Sequence, residues 1–205
     1  MIIANALTLS YGKGNVIENA NFHILPGQAA VLSGDNGSGK STLLSAMGGV
    51  LKPKSGSLTV NGKLSYIPQG IGLIEELRFC DNLRFFASLS GCEVPKELPF
   101  GAQKLLKKRV RDMSGGMKKL CSIICGTLAQ PQILLLDEPC ASLDGEHRRM
   151  LLDYLLELKN RGVTLVYVGH DPEEYRTFAD RVLLVEQTVT DMPAEEYLEK
   201  LGGRL

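Results

Sequence analysis

An α/β fold with a mainly parallel sheet, an antiparallel β subdomain and an inserted helical subdomain is what this sequence predicts, and three observations predict it. The first third is made of short runs in which apolar and polar residues alternate, punctuated by glycine turns. One run there, "AAVLS", is instead almost wholly apolar, and it leads through a glycine-rich loop into "KSTLLSAMGG", which has helix composition. In the second half, apolar strand-length runs alternate with helical ones, the pattern of a parallel sheet covered on both faces.

In order, "IIANALTLSY" and "VIENANFHIL" read as half-buried antiparallel strands, "QAAVLSG" as a buried strand, and "GSLTVNG" and "KLSYIPQ" as two further short strands. From about Gly70 to Asp112 the pattern is helical, with "CDNLRFFASLSG" starting at Asp81 as N-cap and ending near Gly91, and "PKELPFGAQ" following as a loop. Next come a helix "KKLCSIICGTLA", a buried strand "QILLLD", a long amphipathic helix "GEHRRMLLDYLLELKNRG", a strand "VTLVYVG" and a short helix "PEEYRTFAD". The last strand is "RVLLVE", followed by a helical tail "PAEEYLEKLGG". The domain organisation expected is one domain over 1–205, with the helical subdomain over about 71–130.

The 205 residues suffice for one sizeable core, and 44% hydrophobic with 22% charged residues is ordinary for a globular chain. Lysine plus arginine (23) equals aspartate plus glutamate (23). No global basic field points to nucleic acid, and none is expected as a partner. No apolar run approaches the roughly 20 residues that cross a bilayer. The N-terminus lacks the basic and apolar regions of a signal peptide, so the expected location is cytoplasmic. Five cysteines without a C-x-x-C pair read as reduced thiols, and Cys121 and Cys125 as small core residues on a helix rather than a metal pair.

"GDNGSGKS", Gly34 to Ser41, fits G-x-x-x-x-G-K-[ST], and it follows a strand and opens a helix. Gly34, Gly37 and Gly39 allow close backbone approach. With Asp35, Asn36 and Ser38 between them and Thr42 after, the loop wraps consecutive N–H groups around a polyphosphate at a positive helix end. Lys40 reaches the β- and γ-phosphates and the Ser41 hydroxyl ligates Mg²⁺. A second magnesium ligand is expected at the end of a neighbouring strand, and "ILLLDEP" supplies Asp137. Glu138, one residue on, can polarise an attacking water. Read alone, this acidic pair also fits a helix N-cap. "MSGGM", Met113 to Met117, raises a parallel question. It sits in the basic run "KKRVRDMSGGMKK", which otherwise reads as a solvated helix surface. Two glycines weaken a helix by roughly 1 kcal/mol each, so the stretch is either a turn or a set of N–H groups presented to an anion.

Phosphate loop, strand-end Asp-Glu and "SGG", in this order, resemble the ATP-binding cassette (ABC) ATPases, the motor subunits of membrane transporters, over nearly the whole chain. The resemblance implies a RecA-like P-loop NTPase core and ATP with Mg²⁺ as ligands. It makes Tyr11 the aromatic that stacks on adenine, with Val16 beside it. Gln69 of "IPQ" becomes the Q-loop glutamine that meets magnesium and the membrane subunit. Ser114, Gly115 and Gly116 become the signature that acts in trans on the γ-phosphate held by the other subunit of a dimer. Asp144 of "SLD" stands as the dimer-interface aspartate, and His170 of "VGHD" as the switch histidine that assists Glu138 and Lys40 in hydrolysis. Met117 stands where glutamine is commonest, which implies altered or reduced activity, and Met113 where leucine is usual.

"GLIEELRFCDNLRFFASLSG" is similar to the segment after the Q-loop in exporter-type and haem-exporter (cytochrome c biogenesis) members, where a compact helical subdomain docks on a membrane protein. The implied partner is a separate polytopic permease, and the implied assembly a homodimer or heterodimer of ATPase subunits, peripheral on the inner face of the cell membrane. The rival reading within the resemblance is a soluble ABC ATPase that works as a conformational clamp, for example in iron–sulfur assembly.

Overall fold

The computed structural model describes residues 1–12, 14–141, 143–169 and 171–202. Three strands, β1 (Ile2–Tyr11), β2 (Gly14–Ile24) and β4 (Ser55–Val60), form an antiparallel sheet in the order β2-β1-β4. Residues such as Ile2, Ala4, Leu7 and Leu9 of β1 are buried while others between them stay exposed, as the alternation in the sequence requires. Ala6 and Asn19 adopt positive φ (46° and 50°) where the β1–β2 register shifts, two bulges that bend this small sheet.

The larger sheet has the order β5-β6-β7-β3-β8-β9. Its strands β3 (Ala29–Ser33), β5 (Leu64–Ile67), β6 (Ile133–Asp137), β7 (Thr164–Val168) and β8 (Arg181–Val185) run parallel. All of β3, β6 and β7 is buried, which is why these segments read as continuous apolar runs. On one face lies α1 (Lys40–Met47), sandwiched between the two sheets; Leu43, Leu44, Ala46 and Met47 share a core with Ile2, Leu7, Leu32 and Leu135. On the other face lie α4 (Gly145–Asn160), the short α5 (Pro172–Tyr175) and α6 (Ala194–Gly202).

Between β5 and β6 the chain forms α2 (Phe79–Ser90) and two 3-10 turns (Pro99–Leu105 and Val110–Asp112), then α3 (Gly115–Thr127). Phe79, Leu83 and Ala87 of α2 pack on Cys121, Ile124 and Cys125 of α3. Leu120 and Ile123 of α3 turn the other way, into the core beneath the sheet. Buried on both sides, α3 is the spine that joins the helical layer to the sheet. Burial pushes the thiols of Cys121 and Cys125 up to about 12.

Four local expectations change. Helix α2 begins at Phe79 with Arg78 at its cap, and Asp81 is instead in the first turn, where it pairs with Arg84 at 3.1 Å. The stretch 95–103, expected to be a loop, runs from Pro99 into a 3-10 turn (Pro99–Leu105) kinked at Phe100 and Gly101. Helix α3 starts three residues before Lys118, because Ser114 caps it. "RVLLVE" is not the last strand: β9 (Val189–Pro193) pairs antiparallel with β8, with Arg181 bonded to Asp191 at 2.6 Å. Its sequence, "VTDMP", has too little apolar alternation to announce an edge strand.

Candidate nucleotide site

All five parallel strands point the same way, so the segments leaving β3, β5, β6 and β7 gather at one edge of the sheet, the usual ligand crevice of such folds. The loop after β3 turns at Gly34, with φ 140°, where a Cβ would lie 2.2 Å from the Val185 carbonyl oxygen. At Gly39, φ 108°, a Cβ would lie 2.6 Å from the Val16 side chain. Only glycine closes this loop so tightly. Lys40 begins α1 and is 6% exposed; its Nζ donates to the carbonyl oxygens of Gly34 and Asp35, each at 2.8 Å. Burial lowers its pKa, against the pull of Glu138, Asp35 and Asp137.

Ser41 Oγ donates to Asp137 Oδ1 at 3.3 Å. Asp137 ends β6 and is 5% exposed; burial raises its carboxyl pKa, the Ser41 bond lowers it, and neighbouring Glu138 raises it again. Burial is the chief cause that raises the phenol of Tyr66 in β5. Glu138 holds a left-handed backbone, φ 45°, a conformation that costs a non-glycine residue about 1–3 kcal/mol and tends to persist at functional sites. Gln69, two residues past β5, donates from Nε2 to Glu138 Oε2 at 2.8 Å. Residues 69, 138, 41 and 137 therefore meet although up to 97 positions separate them.

The cleft beside the loop measures about 810 Å³ and is lined by Val16, Ser33, residues 34–38, Gly169, Val185 and Tyr197. Val16 is part of that lining. Tyr11 is not: it ends β1, opposite Gly14, and is 77% exposed. Thr42 follows Ser41 in α1, half-buried. His170 lies outside the described residues; its neighbours are Gly169, on the cleft wall, and Asp171, which caps α5 by accepting from the Glu173 N–H.

The signature stretch is a helix start. Ser114 Oγ accepts from the Met117 N–H at 3.3 Å, and Gly115 and Gly116 are the first residues of α3. Gly116 faces His147 of α4, where a Cβ would stand 3.4 Å from the ring. Met117 packs into the helical layer, half-buried. Asp144 caps α4, accepting from the His147 N–H at 2.9 Å and contacting its Nδ1 at 2.7 Å, which holds the carboxyl below its ordinary range.

Sequence reasoning missed Lys119. Expected on a solvated surface, it is 5% exposed, and its Nζ donates to the carbonyls of Pro68 (2.9 Å) and Gln69 (3.1 Å). Lys118, beside it, is also drawn in, bonding Glu75 at 2.8 Å. Tyr66 and Tyr197 were missed too, since an aromatic within a strand or a tail helix carries no mark of the site it borders.

The residues suit a phosphate ester with a hard cation. Ser38 Oγ is buried with no hydrogen-bond partner, and Lys40, the cation at the loop, rests on two carbonyls of that same loop. Hydroxyl, carboxylate and amide (Ser41, Asp137, Gln69) form the all-oxygen donor set that Mg²⁺ takes.

Comparison with known proteins agrees. The ABC transporter family profile matches residues 17–141. The chain is 32% identical over 201 residues to an ergothioneine transport ATP-binding protein of Helicobacter pylori, covering 88% of this chain and 94% of that one. It is 31% identical over 189 residues to an uncharacterised ABC transporter ATP-binding protein of Methanocaldococcus jannaschii (88% and 72%). A solved ATP-binding subunit of an ABC transporter superposes with a TM-score of 0.88 at 25% identity, over 98% of this chain and 93% of that one. A dimeric cassette bound to ADP and Pi shares the fold, with a TM-score of 0.79 at 22% identity over 95% and 99%. This chain belongs to the ABC transporter family, as an ATPase subunit.

Proposed function

Taking that membership as premise, we propose that the chain binds ATP with Mg²⁺ on residues 34–42 and hydrolyses it at the interface of a head-to-tail dimer, thereby driving a separate membrane permease. The observation that carries this reading is the junction of Gln69 with Glu138 beside the Ser41–Asp137 contact, at the mouth of the phosphate loop.

Lys40 exchanges its loop carbonyls for the β- and γ-phosphate oxygens as substrate enters. Ser41, Asp137 and Gln69 would hold Mg²⁺, which would supply charge neutralisation on the phosphates. Glu138 accepts a proton from water as the water oxygen bonds to the γ-phosphorus; the bond from that phosphorus to the β–γ bridging oxygen breaks, and ADP and phosphate leave. His170 contacts the γ-phosphate, Tyr11 stacks on adenine with Val16 alongside, and Asp144 stands at the dimer interface. The partner copy's Ser114, Gly115 and Gly116 close over the γ-phosphate.

We read 71–130 as an inserted subdomain that receives the permease. Supporting this, Ile74, Leu77, Phe85 and Leu89 leave apolar side chains exposed on it. Among the described residues, no helix is long and apolar enough to cross a membrane, so the membrane-spanning part belongs to the partner in this reading, and the chain is peripheral to the membrane.

The test is Glu138→Gln. Turnover should fall at least 100-fold while ATP affinity by calorimetry stays within threefold, and the variant should elute as a dimer on gel filtration with ATP. Normal turnover would remove Glu138 from the mechanism.

A further inference from the structure

A buried lysine is an expensive way to fill space. An ammonium withdrawn from water costs several kcal/mol unless its donors are met, and an apolar side chain of equal size is often neutral or better. Lys119 is nonetheless 5% exposed, on a helix otherwise buried by leucine, isoleucine and cysteine, and its Nζ donates to two backbone carbonyls. Burial lowers its pKa, against the pull of Asp137, Cys140 and Glu138.

Its position joins two parts of the molecule. Lys119 lies five residues after Ser114, about 7.5 Å along α3, and its acceptors lie 51 and 50 residues earlier, in the segment leaving β5. Gln69, one of those acceptors, sends its side chain to Glu138. Lys118 holds the same segment further on, at Glu75. Adjacent lysines thus pin both ends of 68–75 to the helix that begins with the signature. Gly126 of α3 also meets Ile67 at the end of β5, where a Cβ would stand 2.9 Å away, so helix and strand end are in firm contact.

We propose that Lys119 is a positioning residue for hydrolysis: it holds the backbone of Pro68 and Gln69 so that the Gln69 amide stays on Glu138, and it makes the signature helix and the catalytic acid move together. The proposal rests on the reading of Glu138 as the group that polarises water. Its physical content is a coupling between Lys119 and the Gln69 side chain, which a double-mutant cycle measures.

In ATPase assays of the full chain, Lys119→Met should lower kcat about tenfold with little change in KM. In a Gln69→Ala background the same substitution should cost at least threefold less, because the group through which Lys119 acts is gone while its carbonyl anchor remains. Losses that differ by less than threefold between the two backgrounds overturn the proposal. Should Lys119→Met fail to fold, Lys119→Gln, a neutral donor of shorter reach, takes its place in the cycle. A second readout needs no hydrolysis: hydrogen exchange of the 69–78 backbone should quicken at least tenfold in the Lys119 variant, and unchanged protection there also overturns the proposal. If Glu138→Gln retained turnover, the base assignment would fail, while the exchange measurement would still judge the clamp.

Discussion

The phosphate loop and the signature stretch are both glycine-rich helix starts, yet they are finished differently. At the loop, functional side chains satisfy one another within the chain: Lys40 on the loop carbonyls, Ser41 on Asp137, Gln69 on Glu138. At the signature, Ser114 meets a backbone N–H of its own helix, and among the described residues no acid stands in the first turn of α3 to offset its positive end. The neighbouring helix α4 shows the contrast, with Asp144 as cap and Glu146 in its first turn. One region holds its polar side chains with contacts inside the chain; the other is, in the function proposed above, a half-site that accepts an anion from outside. In the proposed dimer, each loop is completed by the partner copy's signature.

The strongest way to break that comparison uses linked dimers. With Lys40→Ala in one chain and Ser114→Arg in the other, both defects fall in a single composite site and the second site stays whole. With both changes in one chain, each site carries a defect. The first linked dimer should retain ATPase activity at a sizeable fraction of the wild-type linked dimer, and the second should lose at least tenfold more. The reverse order would return "MSGGM" to being a turn within its own chain.

A smaller effect sharpens the contrast between the two helix starts. Asp144→Ala removes the cap of α4 and should lower the melting temperature by a few degrees at neutral pH. The folded carboxyl lies below its ordinary value of 3.8, so the contribution is present above that value and is lost as pH falls through the folded one. The gap in melting temperature between wild type and variant should therefore narrow from about pH 5 to about pH 3. A gap that widened in acid would contradict the cap.

The smallest effect concerns Met117. Its side chain packs into the helical layer and only its backbone N–H meets Ser114. Met117→Gln should change turnover less than threefold and cost about 1 kcal/mol of stability from lost apolar burial, read by urea denaturation. A large gain in turnover would mean that the amide, rather than the backbone, is what the signature lacks.

Much of the site was legible because its chemistry is local. Gly34 and Gly39 are fixed by close approaches that a side chain would violate and Gly37 by its φ of 82°, and Asp137 and Glu138 announce themselves by ending an apolar run with two acids. Other features depend on what packs above a segment. Lys119 sits in a basic run that reads as solvated, and nothing within ten residues tells that α3 is covered on both sides. The strand 189–193 has a polar sequence and exists because the edge of β8 offers it a ladder.

The sequence by itself determined every strand but 189–193, most helices, the phosphate loop and the acidic pair, since backbone freedom and apolar periodicity are properties of neighbouring residues. Only the tertiary structure decided that Gln69 lies on Glu138, that Lys119 clamps the segment carrying Gln69, and that Gly116 abuts His147. Those meetings follow from the order β5-β6-β7-β3, which lays strands distant in sequence side by side with their carboxyl ends together. Strand order is a long-range choice, made by the packing of whole faces, and no window of adjacent residues contains it.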